Sequence, residues 1–278
     1  MSLLCLEAQR KGMVIIMKPS GKAAKCTASV TLKGKWPAAI GVCMIVAFAV
    51  LIRSLAARLL YTVFSLHLST LRGLLTLSVS AIDLFAFSPL YIGALRWFWQ
   101  VTAGVDEPVA SIFYYYSFSR AYFNAVLVRL NYWWRTVIIS VIAFIPYSIL
   151  RSISNSIPKT VAVNIGYSAL IGFLAVVAAV LGALVVLMFL TKYYLVLPVM
   201  FSDDTVTVGN AFRLSAVMSR GNRVTLFFMV IPGFAGWILL SLLVVPMLYT
   251  VPYFIASLTV FSRYSITAFR INRETAQA

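Results

Sequence analysis

The sequence predicts an all-α, polytopic transmembrane helical bundle of about six spans, with two short cytoplasmic amphipathic helices. Three observations carry this. Of 278 residues 62% are hydrophobic and only 11% charged, with a mean hydropathy of +0.96, whereas soluble domains are about 45–50% apolar and about 25% charged. The apolar residues fall in runs of about 20 or more, the length that crosses a hydrocarbon core of about 30 Å. The charge is lopsided, 23 Lys and Arg against 7 Asp and Glu for a net +16, and the basic residues sit between and beside the apolar runs, where they set orientation. This composition excludes a soluble globular domain and a disordered chain. No RNP-like, finger or helix-turn-helix pattern accompanies the charge, so nucleic acid is set aside as a partner.

Residues 1–35 read as a basic cytoplasmic tail. Arg10, Lys11, Lys18, Lys22, Lys25, Lys33 and Lys35 face only Glu7, and Met13 and Met17 are alternative starts. The membrane domain covers 36–270, and 271–278 is a second short tail. The first span opens at Trp36-Pro37 and runs to about Leu66, with Arg53 and Arg58 in its outer third. The second covers about 73–96, with Asp83 inside it, Pro89 as a kink, and Arg96-Trp97-Phe98-Trp99 as an interfacial aromatic belt. Residues 106–119 form the first amphipathic helix. Asp106 caps it, Pro108 suits its first turn, and Val109, Ile112, Phe113 and Tyr116 share one face.

The third span lies within 121–150. Either its core is about 132–150 and Tyr132-Trp133-Trp134-Arg135 is the belt at its start, or the membrane begins near Ala121 and Arg135 lies deep. The first is adopted because it needs no buried arginine. A polar loop, RSISNSIPK, leads to a fourth span from Val161 to Phe201. As one helix that span would be roughly 60 Å long, twice the hydrocarbon thickness, so part of it lies along the surface or it contains a break. Ala178 with Gly182 and Ala179 with Ala183 allow close helix approach.

Residues 203–221 form the second amphipathic helix. Asp203, Asp204 and Thr205 are its cap options and Gly221 its stop. Val208, Ala211, Phe212, Leu214 and Met218 share one side; Asn210, Arg213 and Arg220 share the other. The fifth span is about 224–248, with Pro232, Gly233 and Gly236 inside it. Pro246 to Pro252 reads as a tight re-entry into the sixth span, about 252–269. With six spans both termini share a side. The tail, Arg120, Arg213, Arg220, Arg223, Arg270 and Arg273 stand on that side and only Arg72, Arg151 and Lys159 opposite, which makes it the cytoplasmic one.

Cys5, Cys26 and Cys43 form no C-x-x-C pair, the single histidine is His67, and neither a metal site, a cofactor site nor a disulfide is expected. Asp83 is the most informative residue. A carboxylate near mid-membrane needs a partner or water. Counting helical rise puts Asp83 about 20 Å above Arg96 and Arg53 about 25 Å above Trp36, so the two are level within an arginine's reach. They form either a structural ion pair or one side of a polar pathway, and a deep Arg135 is the rival partner. Lys192 either snorkels to the interface or faces a cavity and binds an anionic headgroup. The Tyr114-Tyr115-Tyr116 run reads as interfacial anchoring.

LKGKWPAAI (32–40), SPLYIG (88–93) and, near the end, Ala211-x-x-Leu214-Ser215, Met218, Gly221, Leu226-Phe227, Phe234-x-Gly236-Trp237 and Pro252-Tyr253 together resemble an uncharacterised bacterial family of polytopic membrane proteins. That family is distantly similar to the membrane domain of some bacterial glycerophosphodiester phosphodiesterases. The resemblance implies a helical protein of a bacterial cytoplasmic membrane and no established activity or site residues. The family's short Ile-Pro-Gly turn between spans three and four is replaced here by a longer polar stretch, Pro146 to Lys159.

No G-x-S-x-G, H-E-x-x-H, P-loop or paired-carboxylate pattern stands in a competent place. The expectation is therefore a non-enzymatic scaffold, regulator or accessory subunit. Its partners are the bilayer, with anionic headgroups at the cytoplasmic face, and a protein or a second copy. The alternative is a small transporter or lipid-handling protein with a polar groove around Asp83, Arg53, Arg135 and Lys192.

Overall fold

The computed structural model describes residues 20–64, 77–157, 162–203, 205–228 and 244–275. They are helical, with no strand among the described residues. The fifth span's Pro232, Gly233 and Gly236, together with His67 and Asp204, lie outside them.

The first helix, α1 (Gly21–Thr31), lies within residues 1–35. Ala24, Ala28 and Leu32, one turn apart, are fully buried against the last helix. Thr27 Oγ1 is 2.9 Å from the Tyr264 hydroxyl, and the Tyr253 hydroxyl donates to the Lys25 carbonyl at 3.2 Å. The surrounding lysines mask this stripe of small residues in the sequence. Gly34, at φ +82°, turns the chain into α2 (Trp36–Phe64).

Helix α3 (Leu77–Thr102) contains a π-helical stretch at Asp83–Phe87, immediately before Pro89. Trp97, Phe98 and Trp99 are buried, so they form core and not an interfacial belt. The helix runs on past them: Trp97 and Phe98 make a T-shaped contact with each other, and Trp99 packs against Phe201. Gly104, at φ +87°, ends the turn after α3. The amphipathic helix expected over 106–119 is instead a 3₁₀ turn, Val109–Phe113, followed by α4 (Tyr114–Ser117). Pro108 stands before the first turn, Asp106 pairs with Lys35 instead of capping, and Phe113 and Tyr116 are exposed while Ile112 and Tyr115 are buried. The 3₁₀ turn advances about 120° per residue, which breaks the 3.6-residue face read from the sequence.

Helix α5 (Ser119–Ser156) is continuous through both registers proposed for span three and through most of the expected loop. Its end is clasped to α6 (Ala162–Leu190): Ser154 Oγ donates to the Ser168 carbonyl at 3.0 Å and Ser168 Oγ to the Ser154 carbonyl at 3.2 Å. The serines make RSISNS look like a loop, although the hydroxyls of Ser154 and Ser156 are paired. At Gly182 an added Cβ would stand 2.8 Å from the Ala143 carbonyl oxygen, so the two backbones touch there.

The long fourth run does break. A 3₁₀ turn, Thr191–Tyr193, separates α6 from α7 (Val196–Ser202). Pro198 stands in the first turn of α7, where a missing N–H is tolerated. Helix α8 (Val208–Met218) has Thr207 at its N-cap, not the acidic pair, and ends three residues before Gly221, which does not adopt a left-handed backbone. Helix α9 (Val244–Thr275) runs straight through Pro252, so the re-entry expected between Pro246 and Pro252 is absent. Among the described residues, four helical stretches are long and apolar enough to cross a membrane: Trp36–Leu60, Leu77–Thr102, Ser119–Ser156 and Gly166–Ser202.

Two buried clusters share the second half of α3. One joins α1, α2, α3 and α9 around Trp97, Phe98 and Phe261. The other joins α3, α5, α7, α8 and α9 around Trp99, Leu195 and Phe212. Away from them α5 and α6 present exposed Val141, Ile145, Val180 and Val185. So large an apolar surface is stable only against lipid or another apolar partner.

Candidate functional site

The first charged cluster sits where α2 crosses the irregular part of α3. Arg53 Nη1 lies 3.0 Å from Asp83 Oδ1, with the carboxylate side chain 16% exposed and the arginine 41%. No donor points along a hydrogen-bonding direction at Oδ1, so this is an ion pair held by charge and not by an aligned bond. The Tyr91 hydroxyl is enclosed beside it, close enough to interact with Arg53, Asp83 and Arg129. Arg129 stands 5.9 Å from the Tyr91 ring centre.

Pro89 explains why Asp83 lies on a π-helical stretch. Without its N–H the Phe85 carbonyl has no α-helical donor. The Tyr122 hydroxyl supplies one at 2.9 Å, and Tyr116 donates likewise to the Ala86 carbonyl. A freed backbone group in a membrane needs such a substitute. Arg135 takes no part here.

Arg135 belongs instead to a second cluster, at the break between α6 and α7. Its Nη1 donates to the Tyr193 hydroxyl at 3.0 Å, and its guanidinium lies 4.6 Å from the Phe212 ring centre and 5.0 Å from that of Tyr193. Lys192 Nζ lies 5.3 Å from the same Tyr193 ring and 5.9 Å from Phe189. The carbonyls freed by the break are again met by hydroxyls. Ser215 and Ser219 both donate to the Lys192 carbonyl at 3.1 Å, and Tyr132 donates to that of Tyr193. Arg223 fixes Ser219 through its Nε at 3.2 Å.

Helix α8 supplies the floor of this cluster. Val208, Ala211, Phe212 and Ser215 are buried, Leu214 and Met218 half-buried, and Asn210, Arg213 and Arg220 exposed. Asp203 holds the turn ahead of α8 by accepting from the Thr205 amide at 2.9 Å and from its hydroxyl at 2.6 Å; these bonds lower the carboxyl's pKa. Sequence reasoning named Phe212 and missed Ser215 and Ser219. Two serines one turn apart inside an apolar face are a signal, since buried hydroxyls need acceptors.

A cleft of about 530 Å³ lies elsewhere, between Lys35, Trp97, Asp106 and Glu107. Among the described residues no group of His, Cys, Asp and Glu could hold a metal ion. No family model, curated protein or solved structure matches this chain.

Proposed function

We propose that the chain is a non-enzymatic protein of a bacterial cytoplasmic membrane, a scaffold, regulator or accessory subunit with six spans and both termini in the cytoplasm. The use made of α8 carries this reading. One face is spent on docking to the core, while Asn210, Arg213, Arg220 and the apolar Val217 face outward. A helix so fixed presents a constant surface to a partner, a protein or a second copy. The bacterial membrane rests on the family resemblance and the orientation on the basic residues.

The test is co-purification from native membranes by mild solubilisation. A subunit or scaffold retains a partner at fixed stoichiometry, and Arg213→Glu with Arg220→Glu releases it while leaving the thermal midpoint unchanged. A chain that purifies alone and moves a solute or lipid in proteoliposomes overturns the reading. The second reading, transport or lipid handling around Asp83, is supported by one observation: the Tyr91 hydroxyl enclosed beside Asp83 and Arg53. Under it Asp83→Asn abolishes flux, and Asp83→Glu, which keeps the charge, retains it.

A further inference from the structure

Arg135 reaches the ring of Tyr193 from α5, and Lys192, the residue before Tyr193 in the 3₁₀ turn, lies near the same ring. The Tyr193 hydroxyl holds the Arg135 guanidinium, and two serine hydroxyls on its carbonyl anchor the backbone of Lys192. Ring faces and hydroxyls relieve the desolvation of the two cations but do not neutralise them. Among the described residues the ion pairs are Lys35 with Asp106 and Arg53 with Asp83, and neither reaches this cluster. Arg135 Nε is enclosed and has no partner. Two positive charges thus gather around one ring, with no acidic partner among the described residues.

Their position says which anion fits. The sequence carries no charge from Thr136 to Leu150 on α5 or from Ala162 to Leu190 on α6. Arg135 ends the first uncharged stretch and Lys192 the second, so both mark the same end of the hairpin. On one side of them lie exposed apolar side chains, Trp134, Ile138, Val185 and Met188. On the other lies α8 with exposed Arg213 and Arg220. In a bilayer that boundary is where a phospholipid places its phosphate, its acyl chains running along the apolar faces.

We propose that Arg135 and Lys192 hold the phosphate of an anionic phospholipid, on the floor formed by Tyr193 and Phe212. Two cations against one phosphodiester favour a headgroup with no ammonium, because an ammonium would stand among like charges. The proposal rests on the reading that the α5–α6 hairpin lies in the bilayer, and not on the scaffold role.

The test uses the full chain in detergent, titrated with phosphatidylglycerol or phosphatidylcholine and read by native mass spectrometry. Phosphatidylglycerol is retained in preference to phosphatidylcholine. Arg135→Gln and Lys192→Gln each weaken its retention about fivefold, the effect of one basic residue at an anionic surface. Arg151→Gln, at the opposite end of α5, leaves it unchanged. Arg135→Lys keeps the charge and most of the retention, so a folding defect in the glutamine variants does not hide the answer. Equal retention of the two lipids overturns the proposal, as does a double glutamine variant that binds like the parent. Competition by millimolar inorganic phosphate that empties the site assigns it to a soluble anion instead, which also overturns it. A spin label at Ile142 separates the underlying reading: depth in the hydrocarbon supports the hairpin's immersion, and a label in water removes it.

Discussion

At Gly93 two backbones meet. A Cβ built there would stand 1.9 Å from the carbonyl oxygen of Ile112, an atom that cannot swing away. Gly93→Ala therefore forces α3 and the 3₁₀ turn apart and costs about 1–3 kcal/mol or more, read as a lower thermal midpoint in detergent. Gly41→Ala is the contrast, because nothing lies within 4 Å of its added Cβ; it leaves the midpoint unchanged or raises it, since alanine favours helix by about 1 kcal/mol. A double-mutant cycle tests the ion pair of Arg53 with Asp83. Asp83→Leu alone strands the arginine. The double change with Arg53→Leu recovers stability, giving a coupling of about 0.5–3 kcal/mol. Simple addition of the two single losses would show that the charges do not interact. Asp203 gives a pH dependence. Its carboxyl pKa is lowered in the fold by Thr205, so the turn's extra stability is complete above the ordinary aspartate value of about 3.9 and fades as pH falls through the lower folded-state value. Amide exchange at Thr205 should be slow at neutral pH and accelerate only in acid beyond the intrinsic rate. Asp203→Asn flattens that profile.

Helix α8 was the most legible element, because a 3.6-residue period survives wherever one face is buried and the other is not. Phe212→Asp puts a charge against Tyr132 and Tyr193, which flank that ring at 5.1 and 5.4 Å. The change loses roughly 2–3 kcal/mol of apolar burial and frees the helix. Hydrogen exchange over 208–218 rises sharply if α8 docks through this residue, and an unchanged pattern refutes the docking. Elements with irregular backbones were less legible. The 3₁₀ turn at 109–113 and the π-helical stretch at 83–87 depart from the period that reveals a helix. Their cause, Pro89 and the donors that compensate for it, is spread over distant residues. Helix α1 was hidden for another reason: its buried face is made of alanines, whose small hydrophobic signal is lost among lysines.

For the whole molecule, composition alone indicated the class, since no other arrangement of so apolar a chain is soluble or stable outside lipid. The level placement of Arg53 and Asp83 came from counting rise along two helices, which works because both run nearly unbroken between the counted residues. The grouping of Arg135 with Lys192 could not be counted that way, since it depends on how the broken helix folds back onto α5. The six-span orientation makes its own prediction. In a cysteine-free background, single cysteines at Ser156 and Asn210 label from opposite sides of a sealed vesicle. Labelling from one side would require an odd number of crossings fewer or more between them.

The hydroxyls that complete the irregular helices also impose an order in time. Tyr116 and Tyr122 follow the carbonyls they serve by 30 and 37 residues. At a synthesis rate of about 5–20 residues per second the ribosome leaves the Phe85 carbonyl waiting several seconds for its donor. The Tyr193 carbonyl has no such delay, because Tyr132 precedes it by 61 residues. The α3 segment is thus made before the groups that shape it, and takes its final form only when α5 is in place. A nascent chain stalled before Tyr116 leaves the Arg53 crossing unfinished, and one stalled far enough past Tyr122 for that residue to leave the ribosome completes it.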